Sequence, residues 1–341
     1  MQIRVNHYGV KQCLNAQQQT INCCRSAGKG IYMHKTLCVL TLLLITTLAN
    51  AEFSSDYITQ HPLKIAPVNN IQIAYRQIGE LSNPKILMIM GLGASNRVHG
   101  DNMVRGLEQA GYSVLIFDNR DTGGSTRFND WGQPTMWWQL LKDSLGFNVN
   151  APYSVDDMSA DAVGLMDALN YDDAHVIGFS MGGMIAQSVA AQYPSRVRSL
   201  ISVMSTTGAK HLPPPTKEAT TALTTLASGD AAAEHSKAMR DRGFYPDSMP
   251  RQLMAIFKTG DRSDEVRTIS AKTLVIHGQD DGLIPPQHGE HTAELISNAE
   301  LVLFPGMAHN VPDAVLPLML DRMIAHMRSV DINDEQSEVV L

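Results

Sequence analysis

No cysteine follows Cys38, and no aspartate or glutamate precedes Glu52, in a chain of 341 residues. The first absence excludes disulfides, thiolate nucleophiles and cysteine-based metal sites from positions 52–341. The second splits the charge. Arg4, Lys11, Arg25, Lys29 and Lys35 all fall in the acid-free stretch, so taking these five from the 27 basic residues leaves 22 against 34 acidic ones, a formal charge of −12 in place of −7. A region this acidic argues against binding DNA, RNA or an anionic membrane through a general positive field. With 44% apolar and 18% charged residues the chain has ample material for a core, which rules out a disordered tail or linker.

Long apolar runs are also scarce. From Met33 the sequence reads MHKTLCVLTLLLITTLANA: a basic start at His34 and Lys35, an apolar run over 37–48, and Ala49-Asn50-Ala51 as a small-x-small site. The run is well short of the roughly 20 residues of a membrane span, and the pattern is that of a secretory signal peptide cleaved after Ala51. Residues 1–32, rich in Gln and Asn and without helical or strand periodicity, then stand upstream of a complete leader as an untranslated or unstructured extension, with translation starting at Met33. No cysteine follows the run at a cleavage position, so a lipoprotein anchor has no attachment site. The expected product is residues 52–341, exported to the periplasm or beyond and without a stable membrane anchor.

Within 52–341 two short alternating segments, 63–68 and 71–77, flank Asn69-Asn70 and read as a hairpin. Continuous apolar runs follow at 85–90, 113–117, 174–177, 200–204, 273–276 and 300–304. Such runs suit parallel strands covered on both faces. Between them, 103–110, 154–169, 182–193, 287–296 and 315–327 carry apolar residues at three- and four-residue spacing, the mark of amphipathic helices. Ser154 with Asp157 has the form of a capping start, and Pro194 closes the third helix. The alternation predicts an α/β fold with a mostly parallel central sheet and helices on both faces. One interval breaks the rhythm: almost seventy residues separate the runs at 200–204 and 273–276, opened by Pro213-Pro214-Pro215. That is too long for a structureless loop, and about 208–270 reads as a helical cap inserted over the carboxyl edge of the sheet.

Directly after the run at 174–177 comes Gly178-Phe179-Ser180-Met181-Gly182-Gly183, leading into an amphipathic helix. A sharp strand-to-helix turn needs glycines two before and two after the serine, and it presents Ser180 Oγ at a helix N-terminus that favours developing negative charge. A serine nucleophile needs a base, and the base needs a group that fixes its tautomer. Of ten histidines after position 51, His309 follows the last strand in Phe304-Pro305-Gly306-Met307-Ala308-His309, on the same edge of the sheet as Ser180. His277 ends its own strand and reads as structural. The loop after 273–276 offers Asp280 and Asp281 as orienting acid; only one can accept the imidazole N–H, and Asp281 is the choice, Asp280 the alternative. Asp118 and Asp121, in FDNRDTGGS, read as residues that hold their own turn. An acyl-transfer oxyanion needs two backbone donors; these are assigned to Met181 and to Leu92, in Gly91-Leu92-Gly93-Ala94-Ser95. That loop fails as a nucleotide motif, lacking the third spaced glycine and the phosphate-binding lysine. Trp137, Trp138 and Phe179 read as lining an apolar substrate pocket, with ordinary packing of a long connection as the bland alternative for the tryptophans.

With these motifs in place, the chain resembles the serine-type α/β-hydrolases from about residue 63 to residue 326, and the order Ser180, Asp281, His309 is the order that fold uses. DNRDTGGST, PYSVDDMSADAVGLMDAL, GFSMGGMIAQ, VMSTTG and PGMAHNVP further resemble the branch of aclacinomycin methylesterase-like esterases. The resemblance implies the roles of Asp281 and Leu92 as well. The chain departs from it in carrying Met90-Gly91 where His-Gly usually precedes the oxyanion residue, and in its tryptophan-bearing segment 129–152. The resemblance implies hydrolysis of a small-molecule carboxylic ester with no metal or organic cofactor. Amidase, thioesterase, acyltransferase, carbon–carbon hydrolase and perhydrolase chemistry on the same residues stay open, as does a non-catalytic ligand-binding homologue. Ser180 at the elbow disfavours the dehalogenases and epoxide hydrolases, which use aspartate there.

Amino-terminal sequencing of the protein recovered from outside the cytoplasm is expected to begin at Glu52; a mature chain retaining residues 1–32 overturns both the leader and the Met33 start.

Overall fold

Asn69 and Asn70 take φ values of 48° and 64°, the left-handed pair that a two-residue hairpin turn demands. They fold β1 (Lys64–Val68) back onto β2 (Ile71–Ile78) with Val68 opposite Ile71. The computed structural model describes residues 56–226 and 231–338, so the segments 1–32 and 33–51 discussed above lie outside the described residues. After β2 come β3 (Lys85–Ile89), β4 (Ser113–Phe117), β5 (Ala174–Phe179), β6 (Val197–Val203), β7 (Lys272–Gly278) and β8 (Ala299–Phe304). They form one sheet in the order β1-β2-β4-β3-β5-β6-β7-β8, antiparallel from β1 through β4 and parallel from β4 to β8.

Helices supply the crossovers. A short α1 (Asp56–Gln60) precedes the sheet, and α2 (Asp101–Gln109) joins β3 to β4. Between β4 and β5 lie α3 (Met136–Ser144) and α4 (Val155–Ala168), and α5 (Met181–Gln192) joins β5 to β6. The long interval before β7 contains α6 (Lys217–Leu226), α7 (Ala231–Asp241), α8 (Met249–Thr259) and α9 (Ser263–Val266). Finally α10 (Gln287–Leu295) connects β7 to β8, and α11 (Leu316–Glu338) closes the described chain. The strands are apolar on both faces because each face has its own core. Leu87, Ile89, Leu115, Val176 and Leu200 pack with Met158, Leu165, Ile185 and Val189 of α4 and α5. Their strand neighbours Met88, Ile116, Ile177, Ile201 and Leu274 pack with Met103, Leu107, Met319 and Met323 of α2 and α11 on the other side.

Local chemistry sets several boundaries. Ser154 caps α4, its Oγ accepting the Asp157 N–H while the Asp157 carboxylate accepts the Ser154 N–H. Three features depart from the sequence reading. Helix α3 stands in a stretch read only as a long connection. Strand β6 starts at Val197, ahead of the apolar run at 200–204, because Arg198 and Ser199 conceal it: Ser199 is fully buried with its hydroxyl 2.8 Å from His175 Nδ1. Helix α11 runs past residue 327, where its apolar spacing stops, and Asp331 anchors that extension to the sheet. The Asp331 carboxylate lies 3.0 Å from His175 Nε2, accepts from Arg198 at 3.0 Å and from the Tyr112 hydroxyl at 3.1 Å.

Burial pushes the Asp331 carboxyl up, but the bonds from His175 and Tyr112 and the nearby Arg198 charge outweigh it and hold it below the usual carboxylate range. A carboxyl depressed in the folded state stabilises above its unfolded value of about 3.9, and that stabilisation is lost as pH falls through the folded value. Replacing Asp331 by Asn is therefore expected to cost about 1–3 kcal/mol at pH 7, with the difference from the parent narrowing below about pH 4. Urea titrations across that range check it.

Candidate active site

Every residue of β5 is buried up to Phe179, and the chain then turns abruptly. Ser180 has φ 55° and ψ −120°, a conformation costing a non-glycine residue on the order of 1–3 kcal/mol, and α5 begins at the next residue. The Ser180 N–H, donating to Val203 O at 2.8 Å, ties the turn to the end of β6. The flanking glycines are required by contact. A Cβ on Gly178 would sit 2.1 Å from Gly182 O, and one on Gly182 would sit 2.1 Å from Ile89 O, so the end of β5, the start of α5 and the end of β3 close on one another with no room for a side chain.

The loops after β7 and β8 carry the other two residues and are knitted together. Gln279 N–H donates to Phe304 O and Asp280 N–H to Met307 O, each at 3.0 Å. This places His309 Nε2 3.0 Å from Ser180 Oγ and His309 Nδ1 2.7 Å from Asp281 Oδ2. The ionised acid fixes the tautomer: Nδ1 carries its proton toward Asp281, leaving Nε2 to accept from the serine hydroxyl. Asp281 Oδ1 accepts from the Leu283 and Ile284 N–H groups at 3.0 and 2.9 Å. Burial raises the Asp281 carboxyl, but hydrogen bonds involving His277, His309 and Ile284 N–H overcome it and hold the group well below the usual carboxylate range. Asp280, its neighbour, is exposed. His277 is fully buried, its Nε2 2.8 Å from Ile284 O, so it bears on the site by bracing the acid loop from behind.

Gly91 marks where the facing loop passes closest: a Cβ there would lie 3.1 Å from Ser180 Cβ and 3.5 Å from Oγ. Leu92 therefore follows directly alongside the serine, and Met181 follows it in sequence. Among the described residues neither the Leu92 nor the Met181 N–H donates to a protein acceptor. The arrangement holds a hydroxyl on a base, a base on a buried carboxylate, and two free backbone donors beside the hydroxyl. Such a set can add an oxygen nucleophile to a carbonyl and stabilise the resulting oxyanion. No three His, Cys, Asp or Glu side chains gather into a metal-binding group among the described residues.

The expected pocket residues are either buried in the core or exposed to solvent. Phe179 is 7% exposed and packs into the core beneath the turn, its ring edge-on to His99. Trp137 and Trp138 are 67% and 45% exposed on α3, so they do not enclose a buried pocket. The cause is helical geometry: Gln139 turns inward, buried and accepting the Asn150 N–H, and residues one and two positions before it swing outward at about 100° per residue. Asp118 holds its own turn through Asn96 and Gly124 N–H. Asp121 does more than that, pairing with Arg251 of α8 at 2.6 and 2.8 Å. The sequence signal for that pair is a charged residue and an amide, Arg251-Gln252, where α8 otherwise turns apolar residues inward.

Residues 84–233 match the α/β hydrolase fold family. A 2-hydroxy-6-oxo-6-phenylhexa-2,4-dienoate hydrolase of Comamonas testosteroni is 31% identical over 200 residues, 50% of this chain and 70% of that one. The chain belongs to the α/β-hydrolase family. As a member of it the protein is a hydrolase. A rhodomycin D methylesterase of Streptomyces sp. (strain C5) is 24% identical over 315 residues, taking in 80% of this chain and all of that one. The crystal structure of an esterase from Rhodococcus sp. ECU1013 superposes with a TM-score of 0.62 at 18% identity, covering 79% of this chain and 99% of that one, a likeness of fold.

Replacing Asp281 by Asn removes the acceptor that sets the His309 tautomer. Hydrolytic kcat is expected to fall by about 10³–10⁴ with KM little changed, as steady-state kinetics on any hydrolysed substrate will measure.

Proposed function

We propose that this protein is a serine esterase that cleaves carboxylic esters of small or medium apolar molecules. The observation that carries the reading is the relay from Ser180 Oγ through His309 to Asp281, with links of 3.0 and 2.7 Å, set beside two unpartnered N–H groups. In this reading Ser180 Oγ attacks the ester carbonyl while His309 Nε2 takes its proton. The Leu92 and Met181 N–H groups bind the oxyanion, and Asp281 stabilises the imidazolium through Nδ1. The proton passes from Nε2 to the departing alkoxide, and a water activated by the same nitrogen then hydrolyses the acyl-enzyme. Gly91 and Leu92, on the loop that faces the nucleophile, are uncharged, which supports an apolar substrate. The full-length match to a methylesterase supports an ester. The leader-like segment over 33–51 supports action outside the cytoplasm, on envelope or environmental esters.

A second reading has its own support. The Comamonas relative, the more similar of the two in sequence over its matched part, is named for a substrate that contains no ester, so carbon–carbon hydrolysis on the same serine is the alternative.

The test is release of nitrophenolate from p-nitrophenyl esters of increasing acyl length by residues 52–341, beside the Ser180→Ala variant. Turnover is expected to fall at least about 10³-fold in the variant with its fold intact. Full activity without Ser180 overturns the mechanism. No ester turnover in either folded protein, with serine-dependent consumption of a 2-hydroxy-6-oxo-dienoate, selects the second reading.

A further inference from the structure

We propose that Gln252, staked in place by Arg251, is a positioning residue that aims the Leu92 N–H at the oxyanion; this rests on the reading of Leu92 as an oxyanion donor. A loop flanked by two glycines has little intrinsic preference for one backbone orientation, so a donor on it must be held by something else. The bonds on this loop show what holds it. Met90 O accepts from Asn119 Nδ2 at 2.8 Å, and Gly91 O accepts from Ala94 N–H at 3.2 Å, which sets the plane of the 91–92 peptide from one side. On the other side Gly93 N–H donates to Gln252 Oε1 at 2.7 Å, across 159 positions of sequence, which sets the 92–93 peptide. Gly93 O accepts from Tyr245 N–H at 2.6 Å and Ser95 N–H donates to Gly243 O at 3.0 Å. With both neighbouring peptides pinned, the Leu92 N–H is held in one orientation and donates to no protein acceptor among the described residues.

Gln252 is fully buried and uses both ends of its amide, Nε2 donating to Arg120 O at 3.0 Å. It is thereby a strut between the loops after β3 and β4. Arg251, 1% exposed, holds the helix against the second of these loops: Nε and Nη2 meet Asp121 at 2.6 and 2.8 Å, and Nη2 reaches Asn129 Oδ1 at 3.2 Å. The fit leaves no slack. Gly93 has φ +65°, and a Cβ on it would strike Met249 Cγ of the same helix at 2.6 Å. The inserted segment between β6 and β7 thus does more than cover the sheet edge. Its helix α8 completes the oxyanion site from outside.

The test uses Gln252→Leu, which keeps bulk and removes the acceptor, and Gln252→Asn, which keeps the amide one methylene too short to reach Gly93; Asn serves if Leu fails to fold. Sites are counted with a fluorophosphonate so that kcat refers to competent enzyme. Binding of an alkyl trifluoromethyl ketone is measured alongside; Ser180 Oγ adds to its carbonyl, the serine proton passes to His309, and the oxygen becomes the oxyanion. The expected result is a fall in kcat per labelled site of about 10²-fold, KM nearly unchanged, and ketone affinity lost by the same factor. Asp331→Asn, remote from the site, should lower stability and leave kcat per site as it is. Unchanged kcat per site in the Gln252 variants, or a fall in kcat without loss of ketone affinity, overturns the positioning role. Parent enzyme whose turnover does not depend on Ser180 overturns the esterase reading instead, so the two failures are distinguishable.

Discussion

Three backbones meet at one point on the carboxyl edge of the sheet, and the geometry of that meeting governs the site. The end of β5, the first turn of α5 and the end of β3 approach so closely that positions 178 and 182 admit no Cβ. The approach holds Ser180 in a strained conformation, with its hydroxyl 3.0 Å from His309 Nε2. It also brings Gly91 against the serine, so that the nucleophile and the facing donor loop are fixed by one contact. The cost in backbone strain is met by the two cores that clamp β5 on either face.

The relay and the loops behind it divide the remaining work by burial. Asp281 is fully enclosed and kept ionised by backbone and histidine donors, while His309 retains 20% exposure where a reacting molecule must reach it. The opposite edge of the sheet makes an instructive contrast. Ser199, His175 and Asp331 also form a hydrogen-bonded chain of serine, histidine and aspartate, with links of 2.8 and 3.0 Å. There the serine lies within a regular strand and both it and the histidine are fully buried, so the chain fastens α11 to the sheet and offers no access to a carbonyl. The same residue types act as a fastener on one edge and as a reactive set on the other, according to strain and exposure.

Much of this architecture was legible because it follows from short-range rules. Alternating apolar side chains on strands with two covered faces give unbroken apolar runs, and the spacing in Gly178-Phe179-Ser180-Met181-Gly182 reports a turn that tolerates no side chain on either flank. His309 could be picked from ten histidines because its loop follows the last strand, on the edge that carries Ser180, whereas His277 ends a strand of its own. Elements whose stability comes from buried polar contacts escaped such reading. The first residues of β6 look polar until Ser199 is seen against His175, and α11 looks finished at 327 until Asp331 is seen to anchor it.

The sequence by itself determined the fold class, the nucleophile turn and the order of the loops that could serve it, since each depends on periodicity or on residues within a few positions of one another. The sequence favoured Asp281 over its neighbour Asp280, but the packing of the loop is what separates them: neighbouring side chains in a turn diverge, and Asp281 meets the imidazole at 2.7 Å while Asp280 is exposed. Tertiary structure alone turned Trp137 and Trp138 outward and joined Asp121 to Arg251 across 130 positions and Gly93 to Gln252 across 159. Pairings at that separation leave no local periodicity to read; they exist only once the sheet and the inserted helices have brought distant segments into contact.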